Sequence, residues 1–182
     1  MSEREKMLAG RPYRPDPGIA ADLRRAAALN ARYNATDPED RAARRAVLEE
    51  LLASVGEHVV LRPPFWCDLG YRTEVGARTF ANFNLVVLDI APVVIGADVQ
   101  IGPNVQLLTP THPTDPDERL TGIESAEPIT IADNVWLGGG VIVCPGVTIG
   151  EGSVVGAGAV VVGDLPARVL AVGNPARIVR KL

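Results

Sequence analysis

Residues 128–163 read PITIADNVWLGGGVIVCPGVTIGEGSVVGAGAVVVG and contain the clearest periodic pattern in the chain. An aliphatic residue recurs in it at every sixth position: Ile131, Leu137, Val143, Ile149, Val155 and Val161. Glycine follows directly at positions 138, 150 and 156. Ordinary alternating strands would also space apolar residues six apart, but they predict neither the glycines nor six anchors in succession. The pattern indicates a six-residue structural repeat.

Each six-residue unit is interpreted as one flat rung, a short strand with one inward aliphatic residue and a corner of small residues. Three rungs close a triangular coil, so about eighteen residues make one turn of a parallel β-helix with stacked anchors. The same phase is present at Ile95, Ile101 and Leu107. A six-residue step in a different phase precedes it, at Leu69, Val75, Ala81 and Val87. The change of phase predicts a two-residue insertion within 89–94.

One segment, residues 108–130, interrupts the repeat with LTPTHPTDPDERLTGIESAEPIT. It contains four prolines and five acidic residues but no six-residue anchor, and the rungs resume in phase at Ile131. This predicts a loop extruded from a regular scaffold, which is where functional residues concentrate. The loop contains His112.

The first part of the chain, residues 1–58, is rich in alanine, leucine and arginine, which favour helices. We expect one helix over about 19–33 and a second that begins at the motif DPED. In that motif Asp37 would cap the helix, and Gly56 would end it. The sequence thus predicts an N-terminal helical segment, followed by a β-helix over 59–182 with an extruded loop and a basic C-terminal tail.

Composition excludes several classes of protein. The 182 residues are 47% hydrophobic and 22% charged, as in an ordered globular domain. The net charge of −4 argues against non-specific nucleic-acid binding. The start MSEREKMLAG lacks the apolar core of a signal peptide, and no apolar run is long enough to span a membrane. Cys67 and Cys144 lack metal-binding spacing. We therefore expect a cytoplasmic protein without a metal.

The six-residue repeats resemble those of the left-handed β-helix acyltransferases. The chain is more closely similar to the maltose and galactoside O-acetyltransferases, a group that includes nodulation-type sugar acetyltransferases. The matching motifs cover nearly the whole chain: MLAG, RYN, PPFWCDLG, ANFN, IGPNV, THP, PITIADNVWLGGGVIVCPGVTIG, VVGAGAVV and GNPARIVRKL. The resemblance implies a mainly β fold of left-handed hexapeptide coils, acetyl-CoA as co-substrate, and a homotrimer with the cofactor between subunits.

The chain has two histidines, His58 and His112. His58 lies where the helical part meets the first coil, and a structural role is the better interpretation. The resemblance places His112 at the catalytic position, where it would act as general base toward the acceptor hydroxyl. It also implies that Asn82 stabilises the transition state and touches the acceptor. From the residues alone, an asparagine at a coil corner in left-handed conformation explains Asn82 better.

Carboxylates accept hydrogen bonds from sugar hydroxyls, which makes Asp68 and Glu124 candidates for acceptor binding. Asp89, beside the change of phase, could line the same pocket. A solvated surface acid is nearly as good an explanation for Asp68 and Glu124. The galactoside enzymes have serine at the position of Asp68 and an acid at that of Ile90, so the resemblance does not specify the sugar.

Four basic residues and no acid occur in the last fifteen positions: Arg168, Arg177, Arg180 and Lys181. Such a cluster suits the phosphates of CoA, although a basic tail can also serve solubility alone. The resemblance selects Arg177 and Arg180, and adds Trp136, Gly139, Ala157, Val162 and Gly163. Relatives often have Ser at position 139 and Thr-Lys at 162–163, so only main-chain contacts carry over there.

The sequence therefore predicts an acetyl-CoA-dependent O-acetyltransferase for a maltose-, glucose- or galactoside-like sugar. Two alternatives remain open: a non-sugar acceptor such as an antibiotic or another hydroxyl compound, and a non-catalytic β-helix that binds a partner. A third class, the zinc-dependent β-helical carbonic anhydrases, needs three histidine ligands. This chain has two histidines, so its composition argues against that class.

Overall fold

The computed structural model describes residues 1–182, with three helices leading into a triangular coil of about six turns. The helices are α1 (Glu3–Leu8), α2 (Pro17–Asn34), α3 (Arg41–Leu51) and, within the extruded loop, α4 (Pro116–Arg119). No helix has both the length and the apolar character that crossing a membrane requires.

Three sheets form the faces of the prism. Face 1 consists of β1 (Ser54–Val55), β4 (Thr73–Val75), β7 (Val93–Ile95), β12 (Ile129–Ile131) and β15 (Thr148–Ile149). Face 2 consists of β2 (Val60–Leu61), β5 (Phe80–Ala81), β8 (Gln100–Ile101), β13 (Trp136–Leu137), β16 (Val154–Val155), β18 (Val169–Val172) and β19 (Arg177–Lys181). Face 3 consists of β3 (Phe65–Cys67), β6 (Leu85–Leu88), β9 (Gln106–Leu108), β14 (Ile142–Val143) and β17 (Val160–Val161). The extruded loop contains a separate hairpin, β10 (Pro110–Thr111) with β11 (Ser125–Ala126).

The strands of each face pair in parallel, and only the last strand, β19, is antiparallel to its neighbour. Leu137 pairs with Val155, eighteen residues later, whereas Ala81 pairs with Ile101, twenty residues later, and this coil contains the predicted two-residue insertion within 89–94. Leu61 also pairs with Ala81, twenty residues later, so the preceding coil has a second insertion of the same length, which was not predicted. The interpretation of Leu69 as a stacked anchor is wrong, because it lies at a corner after β3 and packs in a separate cluster.

The inward residues form one continuous core of 35 buried residues. Each buried aliphatic side chain contributes about 1.5–3 kcal/mol relative to exposure. Backbones of adjacent coils meet so closely at the corners that a Cβ on Gly102 would lie 2.5 Å from the Gly139 nitrogen. The periodic glycines follow from this approach, and the predicted mainly β, parallel β-helix of hexapeptide repeats is confirmed.

The helices differ in detail from the sequence expectation. The predicted first helix is α2, but α3 begins later than expected because Asp40, not Asp37, accepts the capping hydrogen bond, from the Ala43 N–H at 2.9 Å. The predicted end at Gly56 is also wrong, since α3 stops at Leu51 and β1 follows at once. The sequence analysis missed α1, whose capping box joins Ser2 and Glu5.

Three edges join the faces, and two of them matter for function. The 2–3 edge, between faces 2 and 3, comprises residues 82–84, 102–105, 138–141 and 156–159 in successive coils. The 3–1 edge, between faces 3 and 1, comprises 68–72, 89–92, 144–147 and 162–164. The extruded loop, residues 109–128, leaves the prism from the 3–1 edge, between β9 and β12.

Candidate functional site

The partly buried carboxyl group of Asp68 lies at the 3–1 edge, immediately after β3. Burial, together with the negative charges of Asp89 and Glu124, raises its pKa to about 6. Three acidic side chains from distant parts of the chain thus lie near one another at this edge. A group of this kind exchanges a proton near neutral pH and accepts hydrogen bonds from hydroxyl groups when ionised.

Asp89 has a different environment, because its side chain is fully buried. One carboxylate oxygen accepts the Leu69 N–H at 2.8 Å and the other accepts the Thr73 hydroxyl at 3.0 Å. Burial raises its pKa and these hydrogen bonds oppose that effect. The geometry makes Asp89 a brace for the corner that carries Asp68, rather than a group facing a ligand.

Glu124 is held by the N-terminal segment through Tyr13, which the sequence analysis missed. The backbones of Tyr13 and Glu124 exchange hydrogen bonds of 3.0 and 2.9 Å, and the phenol donates to the Glu124 carboxylate at 2.9 Å. Tyr13 is buried, and burial, followed by the hydrogen bond to Glu124, raises its pKa. No local pattern signals this pair, because it joins segments far apart in sequence.

His112 follows β10 at the base of the extruded loop, and its side chain is exposed and makes no hydrogen bond within the chain. The backbone around it is held in place. Thr111 shares a 2.7 Å hydrogen bond with Ser125 across the hairpin, and Arg119 donates to the Pro113 carbonyl at 2.9 Å. Buried Thr109 bonds to the Leu88 carbonyl at 2.6 Å and so ties the loop to the prism. A free imidazole is therefore presented on a braced loop.

Asn82 lies on the 2–3 edge, and the conformational explanation for it fails. The residue with positive φ at this corner is Asn84, at 62°, which bonds to Asn104 in the next coil. The side-chain oxygen of Asn82 accepts the Phe83 N–H at 2.8 Å, and its amide nitrogen makes no hydrogen bond within the chain. An amide donor is thus oriented and unused.

The residues expected to contact CoA fall into two groups. Trp136 and Arg180 share face 2, where the register runs Trp136 to Val154, Val154 to Leu170 and Leu170 to Arg180. Gly139 and Ala157 stack on the adjoining 2–3 edge, and Arg177 begins β19. Val162 and Gly163 lie elsewhere, on the 3–1 edge. Trp136 and Val162 are both 57% exposed, so each is accessible to a ligand.

The expected site residues therefore occupy two different edges. Asp68 and Val162 belong to the 3–1 edge, from which the loop that carries His112 leaves, whereas Asn82 and Gly139 belong to the 2–3 edge. Face 3 separates these edges by one rung, roughly 15–20 Å at about 3.3 Å per residue. One copy of the chain does not bring the two sets together, but a ring in which the 3–1 edge of one copy faces the 2–3 edge of the next would do so.

Comparison with protein families separates the N-terminal helical part of the chain from the repeats of the β-helix. Residues 6–56 match the maltose acetyltransferase hexapeptide capping motif, and residues 128–163 match six repeats of the bacterial transferase hexapeptide. The fold and its repeats thus define a transferase of the hexapeptide-repeat class.

Individual relatives are similar over nearly their full length. Nodulation protein L of Rhizobium meliloti is 47% identical over 178 residues, 97% of each chain. The crystal structure of a maltose O-acetyltransferase from Clostridium difficile has a TM-score of 0.98 at 41% identity, covering 100% of this chain and 98% of that one. A Vibrio cholerae hexapeptide-repeat acetyltransferase with acetyl-CoA has a TM-score of 0.92 at 42% identity, covering 100% and 99%. The chain belongs to the maltose and galactoside O-acetyltransferase family and is an acetyltransferase.

Proposed function

We propose that the protein transfers the acetyl group of acetyl-CoA to a hydroxyl of a sugar or similar polyol, with His112 as general base. The observation that carries the proposal is the location of an exposed, unpaired imidazole on a braced loop at the same edge as Asp68. Acidic side chains bind the hydroxyl groups of a sugar, and imidazole is the commonest general base. The acetyl-CoA bound to the Vibrio cholerae relative supports the co-substrate.

In the proposed reaction His112 removes the proton of the acceptor hydroxyl while the oxygen attacks the thioester carbonyl. The carbonyl oxygen becomes an oxyanion, toward which the free amide N–H of Asn82 donates a hydrogen bond. Collapse of the tetrahedral intermediate breaks the carbon–sulfur bond, and the imidazolium returns the proton to the CoA thiolate. The products are the acetyl ester and CoA, and no covalent enzyme intermediate forms.

The residues divide the remaining tasks between acceptor and cofactor. Asp68 and Glu124 would bind acceptor hydroxyls, and Asp89 would position Asp68 from behind. On the cofactor side, Trp136 would pack against the pantetheine arm, while Gly139, Ala157, Val162 and Gly163 would offer main-chain groups. Arg177 and Arg180 would bind the phosphates, because guanidinium groups match phosphate geometry.

Because the two sets lie on different edges, we further propose a homotrimer in which each site joins two subunits. When the 3–1 edge of each subunit contacts the 2–3 edge of the next, only a closed ring leaves no edge without a partner. We also propose a cytoplasmic location, since both cysteines are free thiols, as in a reducing compartment.

The proposal is tested by mixing protein, acetyl-CoA and a panel of acceptors and measuring free CoA with a thiol reagent. We expect CoA release that depends on a hydroxyl acceptor and yields one acetyl ester per thiol. Release at the same rate without any acceptor, or with none of the sugars active, would contradict a sugar O-acetyltransferase.

A further inference from the structure

A large cavity lies between the N-terminal end of α3 and the first coils, and the proposed reaction does not use it. Its volume is about 1270 Å³. Tyr33, Leu48, Phe80 and Phe83 contribute to an apolar wall. The charged groups that line it, besides the titratable His58, are Asp37, Glu39, Arg41, Arg44, Arg45 and Arg62. Four arginines against two carboxylates give the cavity a positive surplus.

Most of these guanidinium groups are uncommitted. Arg45 is occupied, because it bonds to Glu49 and to the Val55 carbonyl, each at 2.6 Å. The Nε of Arg44 is shielded from solvent and has no hydrogen-bond partner, which is costly unless a ligand supplies one. Arg62 has only a stacking contact, with its guanidinium carbon 3.7 Å from the centre of the Phe83 ring. Arg41 makes no ion pair.

The carboxylates do not neutralise this surplus. Asp37 is exposed and accepts the N–H of Glu39 at 2.8 Å within its own turn, so it is engaged by the backbone. Glu39 is exposed and forms no ion pair with an arginine. The cavity therefore combines an apolar wall with unpaired guanidinium groups, a combination that suits a ligand with an anionic group on a ring-shaped body.

The cavity is adjacent to the proposed acceptor site through Phe83. Phe83 follows Asn82 directly, and its N–H holds the Asn82 side-chain oxygen at 2.8 Å. The ring of the same residue carries Arg62 and lines the cavity. Phe83 thus links the corner that carries Asn82 to the wall of the cavity against which Arg62 is stacked.

We infer that this cavity is a second acceptor subsite, which binds a phosphate or carboxylate group carried by the sugar that is acetylated. The inference rests on the proposed function, because it extends the acceptor site from Asn82 toward Arg62 and Arg44. Those guanidinium groups bind the anion, and the aromatic wall packs against the sugar ring. The natural acceptor is an anionic sugar derivative.

The experiment compares matched acceptors that differ only in charge: methyl glucoside, glucose 1-phosphate and carboxymethyl glucoside. We expect wild-type kcat/KM to be about tenfold higher for an anionic acceptor than for the neutral one, mainly through a lower KM. Whether the phosphate or the carboxylate is favoured identifies the anion. Arg44→Gln should abolish most of this preference for an anionic acceptor. Arg62→Gln, which replaces an exposed side chain, should independently do the same.

The matched control is Arg24→Gln, an exposed arginine of α2 outside the cavity, which should retain the preference. If sugars are acetylated but the anionic group gives no advantage, or if either cavity variant keeps that advantage, the inference is overturned and the proposed function stands. If no sugar is acetylated, the anion site is tested separately by measuring the binding of glucose 1-phosphate by calorimetry. Binding that Arg44→Gln and Arg62→Gln weaken supports the anion site, and absence of binding overturns it.

Discussion

The phenol of Tyr13 donates a 2.9 Å hydrogen bond to the carboxylate of Glu124, a residue 111 positions further along the chain. The pair also exchanges two backbone hydrogen bonds, so the N-terminal segment is fastened to the extruded loop at Glu124. One carboxylate of the proposed acceptor site is therefore oriented by a part of the chain that lies outside the β-helix.

Replacing Tyr13 with phenylalanine keeps the buried ring and removes only this side-chain hydrogen bond. We expect the KM for the acceptor to rise by about threefold to tenfold, with the Kd for CoA unchanged, because a bond to a charged group is lost. Steady-state kinetics with varied acceptor measure the effect. Tyr71→Phe is the control, since it removes a 2.7 Å phenol bond to Asp22 instead. Equal KM values for the acceptor in the two variants would show that the Tyr13 hydrogen bond does not contribute to acceptor binding.

His112→Ala removes the proposed general base while leaving the braced loop intact. We expect kcat to fall by about a hundredfold to ten-thousandfold, the usual contribution of general-base catalysis. The Kd for CoA should stay within about twofold of the wild-type value, because the exposed side chain makes no hydrogen bond within the chain and its removal leaves the loop in place. Thiol release and calorimetry give the two numbers. Turnover at the wild-type rate would exclude His112 as the base.

Arg180→Ala tests the phosphate contact on face 2. We expect the Kd for CoA to rise about tenfold, and that for 3′-dephospho-CoA to change little, because the charge-assisted bond is made to the 3′-phosphate. The control is Arg168→Asn, in the same basic tail at the corner that precedes β18, where φ is 56° and asparagine is tolerated. Equal weakening of both cofactors by Arg180→Ala would remove the assignment.

The raised pKa of Asp68 should make the free energy of unfolding depend on pH. Its pKa is raised to about 6 by burial and neighbouring carboxylates, whereas an unfolded aspartate titrates near ~3.9. Between these values the folded state keeps a proton that the unfolded state has lost, so the free energy of unfolding falls as pH rises from about 4 to 6. Above pH 6 the destabilisation remains constant.

Asp68→Asn should remove this fall and stabilise the protein at pH 7 by about 1–2 kcal/mol, a discounted figure because the carboxyl is partly exposed. Urea unfolding at pH 4 and pH 7 measures it at fixed protein concentration. Asp117→Asn, at an exposed carboxylate of the loop, is the control. Parallel stability curves for wild type and Asp68→Asn would contradict the raised pKa.

The β-helix was predictable because its signals are local. An inward aliphatic residue such as Leu137 and the glycine after it fall within one rung, and both are recognisable from the six-residue repeat. The capping residue of α3 was misassigned because Asp37 and Asp40 are both suitable caps, and in the structure Asp40 accepts the capping hydrogen bond. The partnership of Tyr13 with Glu124 has no local signature at all.

The candidate site was predictable only as a set of residues. Resemblance brought Asn82 and His112 into one mechanism, but their placement on different edges follows from how many residues each coil holds. The role of Asp89 also needed the structure, because sequence shows an acid near a phase change and not the two hydrogen bonds that bury it.

In the proposed trimer, one subunit supplies His112 and its neighbour supplies Asn82. Complementation distinguishes this arrangement from a site within one subunit, with trimers assembled from equal amounts of His112→Ala and Asn82→Ala subunits, each of which we expect to be nearly inactive alone. Random assembly in a ring pairs an intact His112 with an intact Asn82 at about a quarter of the sites. We predict recovery of about a quarter of wild-type activity in the mixed trimers. Activity no higher than that of the separate variants would show that both groups act from the same subunit, contrary to this account.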